Sequence, residues 1–273
     1  MTLKSNANLN ADNPLSTCIH PTALVDRDAR LADDVEVGAY SIIGPQVEIG
    51  AGSRVGPHAV ITGHTRIGAN NRIFQFTSLG EIPQDKKYAG EPTRLEIGDN
   101  NTIREFCTFN RGTAQDAGAT RVGNNNWIMA YVHLAHDCQI GNETIFANNA
   151  QLAGHVKVGD HAILGGFTVV HQFVRIGAHS ITAMGTIALQ DIPPFVTASG
   201  SPARPFGINS EGLKRRGYST TAIAAIKRAY KTLYKAGDTL EQAKTHLAEQ
   251  LRDCPELQPL LDFLAVAGRG IIR

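Results

Sequence analysis

The chain has 273 residues, 26 Lys and Arg against 25 Asp and Glu, and a formal net charge of +1. That balance excludes a global nucleic-acid-binding signature. Four scattered cysteines (18, 107, 138 and 254) exclude a disulfide framework or a paired zinc spacing, and no apolar stretch is long enough to span a membrane.

In chain order, residues 1–17 are polar with no apolar h-region; they read as a disordered extension rather than a secretory signal, and so as the start of a cytoplasmic protein. From Ile19 the chain counts in sixes. Ile19, Val25, Leu31, Val37, Ile43, Ile49, Val55, Ile61, Ile67 and Ile73 follow without a slip, and the count resumes at Ile97 and Ile103 and again from Val122 through Leu134, Leu152 and Val170 to Ile176. Neither a helix period nor strand alternation gives a strict six; a fixed internal repeat is the mark of a solenoid. Each hexad is a short strand plus a turn, and three make a triangular coil. The aliphatic points inward, with a small residue such as Ala23, Ser41 or Cys107 near the corner. Glycines after the aliphatic (Gly38, Gly50) and Asn-rich corners (Asn70-Asn71, Asn100-Asn101) are expected to take the unusual backbone angles of tight turns. Coils then stack by parallel strand pairing.

Two interruptions, near 81–96 and 110–121, read as polar loops projecting from the prism, a common way to place a site on a regular scaffold. The register is expected to slip by one at Ile181 and Ile187, and prolines 193, 194, 202 and 205 mark a boundary. The expected division is a β-helix over 18–196 and a helical domain over 197–273. In the second part Ser219 precedes an apolar run from Ala222 to Tyr234 that Gly237 ends. Asp238 and Glu241 look like a cap pair for a helix over 240–251, and Pro255 opens a last segment. These helices are expected to cover the open end of the prism. Basic residues gather in this part (Lys214, Arg215, Arg216, Lys227, Arg228, Lys231, Lys235), either as a solvated face or as a seat for an acidic partner.

Ten histidines are present, several of them between 133 and 179. Stacking the sequence in eighteen-residue coils puts Gly154 above His136 and Gln172 above Gly154, with His155 and His171 beside the column. His136 then faces a notch under a residue with no side chain, a suitable place for a base with a backbone N–H nearby, and Asp137 is placed to fix its tautomer. The competing metal reading fails on spacing, because the pairs 133/136 and 155/161 do not match the three-histidine pattern of hexapeptide-repeat carbonic anhydrases.

The segments His-Leu-Ala-His-Asp-Cys (133–138), Ala-Asn-Asn-Ala-Gln-Leu-Ala-Gly-His (147–155), Val-His-Gln-Phe (170–173), Gln-Asp-Lys-Lys-Tyr-Ala-Gly-Glu-Pro-Thr (84–93), Phe-Gly-Ile-Asn-Ser-Glu-Gly-Leu-Lys-Arg-Arg-Gly (206–217) and the terminal Arg-Gly-Ile-Ile-Arg resemble the UDP-N-acetylglucosamine O-acyltransferase family. The resemblance runs from about residue 17 to the end. It implies a left-handed parallel β-helix of hexapeptide repeats followed by a C-terminal α-helical domain, against the usual right-handed crossover preference. It implies transfer of an (R)-3-hydroxyacyl chain from acyl carrier protein to the glucosamine 3-hydroxyl of UDP-N-acetylglucosamine, the first step of lipid A biosynthesis. By that likeness His136 is the general base, Asp137 orients it and the Gly154 N–H stabilises the oxyanion. Asp85, Lys87, His133, His155, His171 and Gln172 match substrate-holding positions. Asn209, Glu211 and Arg215 match positions near the uridine and diphosphate, and Met184 falls at the far end of the acyl groove, where it would shorten the accepted chain. No metal or dissociable cofactor is implied, since the acyl group arrives on the phosphopantetheine of acyl carrier protein. A homotrimer with active sites between subunits is implied, with no nucleic acid and no membrane span.

Three rivals are weaker. The related N-acyltransferases carry a domain before the solenoid, for which hexads starting at Ile19 leave no room. Coenzyme-A-dependent acetyltransferases of this fold lack the 206–217 block. A structural scaffold would need no histidine notch.

Overall fold

The computed structural model describes residues 18–266 and 268–273; the expected N-terminal extension, 1–17, lies outside them. Strands wind around a triangular prism whose three faces are parallel sheets. Among the described residues, sheet A has eleven strands beginning at Cys18–Ile19, sheet B nine beginning at Leu24–Val25, and sheet C eight beginning at Arg30–Leu31. Ile19 pairs with Val37, Val25 with Ile43 and Leu31 with Ile49, so each coil advances one sheet step per turn of the prism. The hexad aliphatics from Val37 to Ile176 are buried, each contributing roughly 1.5–3 kcal/mol by leaving water. The fold is the left-handed parallel β-helix of hexapeptide repeats that the family resemblance implies.

The corners work differently from the expectation. Asn70 (φ 57°) and Asn100 (φ 58°) do take the left-handed conformation, but the same position elsewhere holds Tyr40 (φ 59°), His58 (φ 56°), Phe76 (φ 62°), Phe106 (φ 60°) and Tyr131 (φ 64°). Such residues pay about 1–2 kcal/mol there. On the edge between sheets A and B their rings stack coil upon coil, with centroids 4.7–5.2 Å apart, which offsets the strain. The glycines after the aliphatic are needed for another reason: they let coils approach. A Cβ on Gly38 would stand 2.7 Å from Pro57 N, and one on Gly50 would stand 2.7 Å from Gly68 C. On the edge between C and A, buried Asn71, Asn101 and Asn126 form a ladder: each Oδ1 accepts the backbone N–H of the residue one coil on, at 2.8–2.9 Å.

The register does not slip at Ile181 and Ile187. Thr182 pairs with Leu164 and Ala188 with Val170, so the count continues with Thr182 and Ala188 inside. Thr182 is tolerated there because its hydroxyl accepts the Gly165 N–H at 2.9 Å and lies 2.7 Å from Thr168 Oγ1. Cys107 and Cys138 are buried as expected, and burial pushes both thiols up to about 12.

The sheet also runs beyond residue 196. Strand Val196–Ser199 pairs parallel with Ile181–Thr182, and Arg204–Ile208 folds back antiparallel to close the end of sheet A. Helices follow: α1 (Ser210–Arg215), α2 (Thr220–Lys235), α3 (Leu240–Leu251) and α4 (Gln258–Ala265). Helix α1 is too short to show a period. Ser219 caps α2 as expected, accepting Ala222 N–H at 3.1 Å. The capping box of α3 is Thr239 with Gln242, one residue on from the expected pair, because Asp238 pairs with His246 at 2.9 Å and Glu241 with Lys244 at 2.8 Å. The helices share a core of Ile226, Leu233, Leu247, Leu257 and Leu260. The ion pair of half-buried Arg175 with buried Asp191, at 2.7 Å, joins them to the prism, since Arg175 also donates to the carbonyls of Phe263 and Val266 at 3.1 Å.

Candidate active site

The edge between sheets B and C carries the unusual chemistry. Both loops leave the prism there: 82–93 between Ser78–Glu81 and Arg94–Ile97, and 111–118 between Thr108–Asn110 and Ala119–Val122. The next three corners on that edge hold His136-Asp137, then Gly154-His155, then Gln172-Phe173. The two insertions therefore sit directly before the histidine column rather than on an unrelated face.

Asp137 (φ 61°) turns the chain so that its carboxylate meets the preceding imidazole: His136 Nδ1 lies 2.9 Å from Asp137 Oδ2. The carboxylate is fully buried and accepts from Thr113, whose N–H is 2.9 Å from Oδ1 and whose hydroxyl is 2.6 Å from Oδ2. Thr120 Oγ1 accepts the Asp137 N–H at 2.8 Å. Burial, the largest influence, would raise this carboxyl, but the bonds from His136 and Thr113 outweigh it and hold it below the usual carboxylate range. Asp137 is thus a fixed anion behind His136.

Gly154 lies over the His136 ring, as the coil count required. A Cβ there would stand 2.6 Å from His136 Cε1 and 2.7 Å from Nε2. Among the described residues no acceptor takes the Gly154 N–H. At the equivalent position on the next edge, the Asn124 N–H is taken by Asn142 Oδ1 at 2.8 Å. Free N–H groups at this position also occur on the edge between A and B, at Ala130 and Asn148, so what sets Gly154 apart is the His136 imidazole lying against it. His155 packs edge-on to His136 (centroids 5.0 Å) and stacks on Phe173 (4.3 Å), and its Nδ1 is 2.7 Å from Asp116 Oδ2.

His133 stands on the outer face of sheet B, with Nδ1 2.8 Å from Thr108 Oγ1. Burial first, and then the neighbouring His136, push its pKa down, so it is held neutral. His171 Nδ1 is 3.1 Å from the Gln172 carbonyl, and Gln172 is exposed one coil beyond Gly154. Asp85 accepts the Lys87 N–H at 3.0 Å within the first loop, and Lys87 is exposed.

Asn209, Glu211 and Arg215 lie elsewhere. Asn209 caps α1 by accepting Gly212 N–H at 3.1 Å and donates to the His179 carbonyl at 3.0 Å, on the edge between C and A. Glu211 pairs with Lys214 at 2.8 Å, and Arg215 is exposed. Within one chain the structure does not bring this group to His136. Met184 is 78% exposed on the edge between A and B, so it is not core packing. Thr113, Thr120 and Asp116 were missed in the sequence; the signal was that the second loop leaves the same edge one coil before His136.

For a metal, His136, Asp137 and His155 offer atoms within 4.8 Å of one another. Both Nδ1 nitrogens already stand at hydrogen-bond distance from carboxylate oxygens, 2.9 Å for His136 and 2.7 Å for His155.

Residues 191–272 match the model of UDP-N-acetylglucosamine O-acyltransferase domain 2, and residues 28–63 and 119–154 match that of the bacterial transferase hexapeptide. The acyl-[acyl-carrier-protein]–UDP-N-acetylglucosamine O-acyltransferase of Thiobacillus denitrificans is 68% identical over 255 residues, covering 93% of this chain and 99% of the relative. The protein of the same name from Neisseria gonorrhoeae is 60% identical, covering 94% and 100%. Among solved structures, UDP-N-acetylglucosamine O-acyltransferase from Moraxella catarrhalis is 44% identical with a TM-score of 0.91, covering 93% of this chain and 99% of that one. The acyltransferase from Francisella novicida is 41% identical with a TM-score of 0.92, covering 93% and 94%. With sequence and fold shared over nearly the whole length of these relatives, the chain belongs to the UDP-N-acetylglucosamine O-acyltransferase family.

Proposed function

We propose that this chain transfers an (R)-3-hydroxyacyl group from acyl carrier protein to the 3-hydroxyl of the glucosamine ring of UDP-N-acetylglucosamine, the first step of lipid A biosynthesis. The observation that carries the mechanism is His136, tied through Nδ1 to a buried carboxylate and lying against a residue with no side chain and a free N–H. With Nδ1–H donating a hydrogen bond to the Asp137 carboxylate, Nε2 holds the lone pair. It takes the proton of the sugar hydroxyl as the oxygen attacks the thioester carbonyl, the demanding step for an unactivated alcohol. The oxyanion accepts the Gly154 N–H. Collapse breaks the C–S bond, and the pantetheine thiolate leaves with the proton held by His136.

The other side chains hold the two substrates. His133, kept neutral, and His155, His171 and Gln172 surround the reacting carbonyl and the sugar. Arg215 meets the diphosphate, for which a guanidinium is suited, with Glu211 and Asn209 near the uridine. Asp85 and Lys87 act from the first loop. The reading takes the enzyme as a cytoplasmic homotrimer, and a site divided between two edges of one prism supports the shared sites, since it closes when a second prism brings one edge to the other. Lys227, Arg228, Lys231 and Lys235 are exposed on α2 and free of ion pairs among the described residues, a seat for acidic acyl carrier protein. No metal enters these steps.

The test is acyl transfer to UDP-N-acetylglucosamine from 3-hydroxyacyl carrier proteins, with His136→Ala alongside. The variant should lose at least about a hundredfold in turnover. No product with any donor, or undiminished turnover in the variant, overturns the reading.

A further inference from the structure

We propose that Asp116 is a positioning residue of the transfer site, acting through His155; the proposal rests on the functional reading above. Loop 111–118 leaves the prism one coil before His136 and reaches past it. It gives Thr113 to Asp137 and Asp116 to His155, which lies 39 residues further along the chain. Each imidazole of the column thus has its own carboxylate at Nδ1: Asp137 at 2.9 Å for His136 and Asp116 at 2.7 Å for His155. Asp137 Oδ2 is 3.9 Å from His155 Nδ1, too far to serve both rings.

Packing alone does not define His155. Stacking on Phe173, with planes 8° apart, and edge contact with His136 at 89° fix the plane of the ring. Neither contact decides which nitrogen carries the proton, and a ring turned over in its own plane packs almost as well. The Asp116 carboxylate decides it: Nδ1 donates, and Nε2 is left for the ligand. Asp116 is 45% exposed, and an ion pair so open to water contributes little to stability. Its consequence falls on the orientation of His155 rather than on the fold. One loop then sets both imidazoles, so the base and the substrate-holding ring are aligned together.

The experiment compares Asp116→Leu and Asp116→Asn, each alone and with His155→Ala, by steady-state kinetics and by the ring 15N signals of His155. Asp116→Leu should lower kcat/KM about tenfold, and Asp116→Asn, which still offers an acceptor, should stay within about threefold of the parent. In the His155→Ala background Asp116→Leu should add nothing. The His155 signals should move from the Nδ1–H tautomer to a mixture in Asp116→Leu. Undiminished kcat/KM in Asp116→Leu, an equal loss without His155, or unmoved ring signals overturns the proposal. Absence of turnover in the parent protein overturns the acyl-transfer reading instead, and the ring signals then decide the pairing alone.

Discussion

His136 and Asp137 are neighbours in the chain, yet their side chains meet at 2.9 Å, because Asp137 adopts the left-handed conformation at a prism corner. In an extended segment they would point to opposite faces. The corner geometry of the solenoid thus makes a carboxylate–imidazole pair from adjacent residues.

Asp137→Asn preserves volume and removes the anion. We expect kcat to fall about a hundredfold, with the KM for the sugar nucleotide little changed, because the substituted amide no longer fixes the tautomer or stabilises the imidazolium. The substitution should also alter acid stability. A carboxyl held below its usual range contributes stability that is present above that range and lost as pH falls through the folded-state value. Thermal melts of the parent should therefore drop more steeply than those of the variant at the acid end. Equal kcat in parent and variant would contradict this role.

Gly154→Ala tests the column from above. The glycine's φ is ordinary, so the backbone accepts alanine; the added Cβ instead meets His136 Cε1 at 2.6 Å and Nε2 at 2.7 Å. The imidazole must move. Turnover should fall about a hundredfold or more, with only a small change in Tm. A crystal structure of the variant with His136 unmoved and full turnover would show that the ring position is not needed.

The column was legible in the sequence because no insertion falls between residues 122 and 176, so eighteen-residue stacking places His136 under Gly154 by counting. The loops escape that arithmetic. Thr113 and Asp116 lie in a segment with no period, and their reach across one and two coils depends on loop conformation. The aromatic corners were hidden for a different reason. Rules for positive φ favour Gly and Asn within a turn, whereas Tyr40, Phe76 and Phe106 are held there by rings in the coils on either side. Thr182 was misread because an aliphatic neighbour, Ile181, drew the register to the outward face.

His179 gives a pH prediction. Burial first, then the charges of His161 and Arg216, push its pKa down to about 4, against the partial support of Asp160. Its ring stacks on His161 at 4.7 Å and Phe195 at 5.7 Å, and its Nε2 is 3.2 Å from the Tyr218 hydroxyl. The unfolded chain binds this proton at higher pH than the folded one. Stability is therefore complete above the ordinary histidine value and declines as pH falls toward 4. With allowance for the water that still reaches the ring, the loss is of order 1 kcal/mol. His179→Phe should flatten the dependence of Tm on pH between those limits. An unchanged slope would place the titration elsewhere.

We propose that Met184 limits the length of the accepted acyl chain. The outward row of sheet B runs His133, Gln151, Val169, Ile187, one strand step at a time, so it is polar beside the column and apolar beyond. Exposed Phe167 and Met184 flank the apolar end on the edge between A and B. An acyl chain leaving the carbonyl at His136 along this row would meet the methionine, whose stem displaces roughly three or four methylenes. We therefore expect the parent to favour a ten-carbon over a fourteen-carbon donor. In Met184→Gly the ratio of kcat/KM for the longer donor to that for the shorter should rise by at least about tenfold, since each methylene regained contributes about 0.8 kcal/mol. If the parent turns over the longer donor faster, or the ratio does not move in the variant, the chain ends elsewhere and Met184 does not measure it.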